Sequence, residues 1–143
     1  MINLSVPTLA DIEQAVNLSR KEVYCSEVLS VKDIASFPWC ISLKDNEDRL
    51  GAIVGLSILR QGVALGWAIT TDHLVEKPIA YTRRMLDIIE EVYVHFKLHR
   101  LQIYVKCKSD LVRWAEVLGF EIEGCMKSFG IDRSDYYIMG RVR

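Results

Sequence analysis

The sequence predicts a mixed α+β fold, with a central, mostly antiparallel sheet of about seven strands and four helices in the order β-α-α-β-β-β-α-β-α-β-β. Three observations predict it. A long amphipathic segment, Pro78–Phe96, separates two strand-like runs and is long enough to be the crossover helix of a parallel pair. Three strand-like runs joined by short polar turns read as an antiparallel meander. A short helix and two final runs read as a closing hairpin.

Ile2–Val6 alternates as INLSV, a short strand. Pro7 and Thr8 follow, and Thr8 or Asp11 caps a first helix, with Ile12, Ala15, Val16 and Ser19 at helical spacing. A weaker helical segment runs from about Glu27 to Ala35 and stops at Phe37-Pro38, because the residue before proline disfavours the helical region. Trp39–Lys44 reads as a strand, and Asp45-Asn46-Glu47-Asp48 as a polar turn. Leu50–Leu59 is a near-continuous apolar strand, Gln61-Gly62 a turn, and Val63–Thr71 the next strand. In Pro78–Phe96, Tyr81, Met85, Ile88, Ile89, Val92 and Phe96 line one face, and charged residues line the other. Pro78 suits a first helical position, where no backbone N–H is required. Leu101–Lys106 alternates as LQIYVK. In Asp110–Leu118, Leu111, Trp114, Ala115 and Leu118 recur at helical spacing, and Gly119 suits the left-handed position past the helix end. Glu121–Phe129 and Asp135–Val142 form the hairpin.

The chain has 143 residues, read as one domain over 1–143. Half the residues are hydrophobic and 26% are charged, an ordinary globular composition. Lys and Arg number 18 against 19 Asp and Glu, which argues against a nonspecific nucleic-acid or membrane binder. Cys25, Cys40, Cys107 and Cys125 form no CxxC, and no histidines have metal-ligand spacing, so the cysteines read as reduced, mostly buried thiols of a cytoplasmic protein and no metal is expected. The start, MINLSVPTLADIEQ, lacks the basic-then-apolar pattern of a signal peptide. The most apolar stretch, GAIVGLSILRQGVALGWAI, is interrupted by Arg60, Gln61 and Gly62 and reads as two strands rather than a membrane span.

The run RLQIYVKCKSDLVRWAEVLGFEIEG, with its strand, short helix and Leu118-Gly119-Phe120, resembles the GNAT acyltransferase family, as does PTLAD at the entry to the first helix. The resemblance covers nearly the whole chain. It implies a GNAT-like domain that moves an acetyl group from acetyl-CoA, as cosubstrate, to an amine of a small molecule or protein. The family's pyrophosphate motif, Gln/Arg-x-x-Gly-x-Gly/Ala, falls on Lys77, Ala80 and Thr82, where all three residues depart from it. A helix start still offers unpaired N–H groups and a partial positive charge to an anion. The resemblance therefore implies that backbone amides of Ile79, Ala80, Tyr81 and Thr82 hold the pyrophosphate and that Lys77 adds charge. It further implies that Ala68, Ile69 and Thr70 pair with the pantetheine amides, where Val63–Thr71 splays from Leu101–Lys106. The family's cofactor-contacting Asn falls on Lys108 and its acidic Tyr on Ala115, two further departures.

A general base must take a proton from the attacking ammonium. Asp72 and His73, at the end of Val63–Thr71, are the nearest candidates; the alternatives are a turn or cap residue and an exposed loop histidine. Tyr136 and Tyr137 alternate in the last strand; either is a candidate acid, Tyr137 first, with core packing as the alternative. Trp39, Trp67 and Trp114 line a pocket or pack in the core. The run GWAITTD and the basic crossover helix more loosely resemble small GNAT-like proteins of tailed phages. That likeness implies an alternative: a catalytically inactive binding or assembly protein, in a virion or the host cytoplasm, with a phage or host protein or a second copy as partner.

Overall fold

A computed structural model describes residues 1–18 and 39–143. The helical segment expected from about Glu27 to Ala35, its stop at Phe37-Pro38, Ser19 and Cys25 lie outside the described residues. The first strand, β1 (Asn3–Ser5), leads into α1 (Leu9–Leu18). Thr8 and Asp11 close a reciprocal capping box: the Thr8 N–H donates to Asp11 Oδ2 at 2.9 Å, and the Asp11 N–H donates to Thr8 Oγ1 at 3.1 Å. Both expected capping residues are used.

Next come β2 (Cys40–Lys44), β3 (Leu50–Arg60) and β4 (Val63–Thr70), the expected antiparallel meander. Between Lys44 and Leu50 the turn is built on Asp45. Its buried carboxylate accepts the Glu47 and Arg49 N–H groups and the Arg49 Nε at 2.9–3.0 Å. Beside this turn Leu43 pairs with Ala52 and Lys44 with Leu50, so Gly51 is an extra residue in β3, a bulge. The Tyr81 ring lies directly against Gly51, where a Cβ would overlap it.

After β4 the structure adds a short helix, α2 (Asp72–Glu76), where only a strand-to-helix junction was expected. Thr71 turns the chain there: its N–H donates to Gly51 O at 2.9 Å and its hydroxyl to Leu50 O at 2.6 Å. The crossover helix α3 (Pro78–His95) follows, then β5 (Arg100–Lys106), α4 (Asp110–Val117), β6 (Glu121–Met126) and β7 (Tyr136–Val142).

The seven strands form one sheet in the order β1-β2-β3-β4-β5-β7-β6, with β4 and β5 parallel and every other neighbouring pair antiparallel. The expected mixed sheet is present, with the last strand inserted beside β5. One face carries α3 and α4: Tyr81, Met85, Ile89, Leu111 and Leu118 pack with Ala52, Val54, Leu101 and Val105. On a separate cluster, α1 packs through Ile12 and Ala15 onto Leu50, Ile53, Trp67 and Ile69. Among the described residues no helix is long and apolar enough to cross a membrane.

Candidate functional site

The site begins with a failure of strand pairing. β4 is bonded to β3 over its whole length, from Val63 opposite Arg60 to Thr70 opposite Ala52. β5 is bonded to β7 over its whole length, from Arg100 to Lys106. Yet β4 and β5 pair only at Val63–Arg100, Ala64–Leu101 and Leu65–Gln102. Each strand follows its other neighbour, and the two part beyond Leu65. Alternate backbone groups of residues 66–70 therefore face an edge with no strand beside it, and such groups need partners or solvent. Ala68, Ile69 and Thr70 all lie on this parted stretch. The Ile69 side chain is turned into the α1 cluster, so any ligand meets its backbone only.

The start of α3 lies past the wide end of this wedge. Pro78 has no N–H, and the Tyr81 N–H donates to Lys77 O at 3.2 Å. No side-chain cap covers the helix start. Helix geometry thus leaves the Ile79 and Ala80 amides without an intrahelical acceptor. The expected set of four amides shrinks to two, because helical bonding consumes those of Tyr81 and Thr82. The Tyr81 side chain is fully buried, and burial pushes its phenol up.

Lys77 does not face the wedge. Its ammonium lies 3.3 Å from Asp45 Oδ2, on the β2–β3 turn. That turn is on the far side of β3 from the wedge. The hydrogen bonds of the turn, first the Arg49 N–H, hold the Asp45 carboxyl well below the usual carboxylate range against the opposing effect of burial. His73 joins the same ionic group: its Nδ1 is 3.0 Å from Glu76 Oε2, and Glu76 is 3.9 Å from Arg49 Nη1. Asp72 opens α2 and is exposed. Lys108 is exposed in the turn before α4, at a left-handed φ of 67°. Tyr137 sits on β7 between Val105 and Cys125 and packs partly against the α3–α4 core.

Behind the wedge, between the sheet and helices α3 and α4, lies a cavity of about 100 Å³ with an almost wholly apolar lining. Trp39, Trp67 and Trp114 all border it, so the three tryptophans expected to line a pocket or pack the core do both. Trp114 has a second contact: its Nε1 donates to Thr82 Oγ1 at 2.8 Å, joining α4 to the first turn of α3. An outer apolar groove, bordered by Ile79, Arg83, Arg113 and Trp114, lies on the solvent side of that bond. Sequence patterning marked Trp114 as a core position of α4, but spacing along one helix says nothing of a partner 32 residues away.

The thiols differ from expectation. Cys40 and Cys107 are half-buried and Cys125 is exposed, so none of the three described cysteines is fully buried. Cys40 opens β2, Cys107 follows β5, and Cys125 is the next-to-last residue of β6, an edge strand of the sheet. Burial pushes the Cys107 thiol up, which disfavours the thiolate a nucleophile needs. Among the described residues no cluster of His, Cys, Asp and Glu has the makings of a metal site.

No protein-family model matches the chain, and no curated protein sequence matches it. Solved structures do. A chimera of the spermidine N-acetyltransferase SpeG from Vibrio cholerae and hSSAT superposes with a TM-score of 0.77 at 18% identity, covering 99% of this chain and 95% of that one. The ribosomal-protein-S18-alanine N-acetyltransferase from Escherichia coli superposes with a TM-score of 0.70 at 17% identity, covering 99% and 94%. Neither is a phage protein.

Proposed function

We propose that this chain, which has the fold of the GNAT acyltransferases, is an acetyl-CoA-dependent N-acetyltransferase. The observation that carries the proposal is the three-residue pairing of β4 with β5 and the parting beyond it. A parted parallel pair exposes a strand edge whose free N–H and C=O groups match the two amides of a pantetheine arm, as an added strand would. Residues 68–70 supply that edge. The Ile79 and Ala80 amides and the start of α3 supply the anion site for the pyrophosphate.

In the reaction the amine nitrogen attacks the thioester carbonyl. The tetrahedral intermediate loses a proton to a base and expels the CoA thiolate, which takes up a proton. Asp72 is the proposed base and Tyr137 the proposed acid; His73, the other base candidate, is drawn by Glu76 into the ionic group around Asp45 and would have to leave it to serve. The two similar structures carry names that specify amines, spermidine in one case and a protein alanine in the other. The proposed acceptor is accordingly an amine on a small molecule or protein.

A second reading rests on the Trp114–Thr82 bond. It spans the helix start that a cofactor must reach, which suits a GNAT fold used for binding or assembly. Calorimetric titration with CoA and acetyl-CoA separates the two. Micromolar binding that Ala80→Glu abolishes supports the transferase. No heat at millimolar cofactor, with the protein folded, leaves the binding role.

A further inference from the structure

We infer that the site also takes its acetyl group from a second donor, a phosphopantetheine arm carried on an acidic protein that docks on the outer groove between α3 and α4. The inference rests on the transferase reading and adds a donor to it.

A pantetheine arm reaches an enzyme from two sources, the nucleotide of CoA or a serine phosphodiester on a carrier protein. The thioester, the arm and the first phosphate are the same in both. The two donors part beyond that phosphate, at the Ile79 and Ala80 amides. Those amides suit one phosphate better than two. Pro78 lacks an N–H, helical bonding takes those of Tyr81 and Thr82, and Lys77 is held by Asp45. A carrier brings a single phosphodiester charge there, whereas CoA brings a pyrophosphate and a further phosphate on its ribose.

The groove opens directly outside those amides, since Pro78 and Ile79 border it. Each helix gives it one aliphatic residue and one arginine, four residues apart and so on one face: Ile79 and Arg83 on α3, Val117 and Arg113 on α4. Ile79 is 69% exposed and Val117 60%, so bare hydrocarbon lies between two cations. Arg84 pairs with Asp87, but Arg83 and Arg113 have no ion-pair partner among the described residues. Asp110, also on the rim, opens α4. The Thr82 hydroxyl is already bonded to Trp114, so little is left to read the polar edge of a nucleobase. An amphipathic helix with aliphatic anchors and flanking carboxylates matches both the apolar floor and the arginines. Acidic carrier proteins present such a helix beside their modified serine.

Transfer from this donor balances as it does from CoA. The amine forms the C–N bond, the C–S bond breaks, and the carrier thiolate takes up the proton that the amine gives up.

The test is calorimetric titration of the intact protein with an acidic acyl carrier protein in two forms, acetyl-phosphopantetheinyl and apo, whose serine is unmodified. Acetyl-CoA is titrated alongside. The acetyl form should bind with a Kd on the order of micromolar, and the apo form about tenfold more weakly or worse, because it lacks the arm. Arg83→Glu and Arg113→Glu, at exposed positions, should each weaken the carrier about tenfold and change acetyl-CoA by no more than about twofold. An acetyl carrier that does not bind, while acetyl-CoA does, overturns the inference and leaves the transferase standing. Equal losses for carrier and acetyl-CoA in the two variants assign the arginines to the nucleotide and overturn the docking surface. Failure of carrier and acetyl-CoA alike to bind overturns both readings.

Discussion

The indole of Trp114 and the hydroxyl of Thr82 meet at 2.8 Å, so the short helix after β5 is fastened to the opening turn of the crossover helix. The Gly or Ala that the resembled family's motif has at this position carries no such acceptor. The threonine hydroxyl thus holds the Trp114 indole against the start of α3.

Trp114→Phe removes the donor and keeps most of the apolar surface. Loss of one part-buried hydrogen bond should lower stability by about 1 kcal/mol in urea unfolding. If the indole must swing aside before CoA enters, the same variant should raise the association rate measured by stopped flow, with little change in dissociation. An unchanged association rate would show that the bond does not lie on the entry path.

Tyr81 offers a prediction of the opposite sign. Its ring lies on Gly51, and its hydroxyl is buried with no hydrogen-bond partner among the described residues. A buried unsatisfied hydroxyl costs about 1–3 kcal/mol, so Tyr81→Phe should raise the unfolding midpoint by about 1 kcal/mol of stability. Gly51→Ala should do the reverse, by about 1–3 kcal/mol, since the new methyl overlaps the ring. A destabilised Tyr81→Phe would mean that the hydroxyl has a partner after all.

Much of this fold is written in local patterns. The 3.6-residue rhythm of Tyr81, Met85, Ile88, Ile89 and Val92 finds α3, and the capping pair Thr8 and Asp11 finds α1. Pro78 marks a start because it has no N–H to satisfy there, and Gly119 marks an end because its φ of 95° is one that glycine adopts readily and other residues rarely do. The candidate site is less legible, because its parts meet across the sheet. Nothing near Lys77 in the sequence announces that Asp45, 32 residues earlier, holds its ammonium. Nothing in DHLVE announces a helix; Thr71 bonded to Leu50 and Gly51 across the sheet turns the chain into one. The parting of β4 and β5 was legible only through the family resemblance, since it depends on which outer neighbour each strand follows.

Asp11 should govern part of the acid stability. Burial alone pushes this carboxyl up, but the Lys44 ammonium at 2.8 Å and two hydrogen bonds from Thr8 outweigh it and hold the group below its ordinary range. A carboxyl lowered in the folded state adds stability that is complete above its unfolded value, near 4, and is lost as pH falls through the folded value. Asp11→Asn should cost about 1–3 kcal/mol at pH 7 by removing a charged hydrogen bond. It should also flatten the decline in stability between about pH 4 and pH 2 relative to wild type. Equal slopes in urea unfolding at the two pH values would remove Asp11 from the account.

Lys77 stands at the position where the family motif has Gln or Arg, and its role is decided by where its charge is already committed. Asp45 is buried and accepts three other hydrogen bonds, so its remaining charge is a fixed partner for the ammonium on the side of β3 away from the wedge. To serve a pyrophosphate the side chain would have to leave that carboxylate and cross above β3 and β4. Lys77→Ala should therefore change CoA affinity by no more than about twofold, the scale of a half-exposed ion pair. Ala80→Glu places a carboxylate at the free amides themselves and should abolish binding. A tenfold or greater loss in Lys77→Ala would show that the ammonium moves to the phosphates when the cofactor arrives.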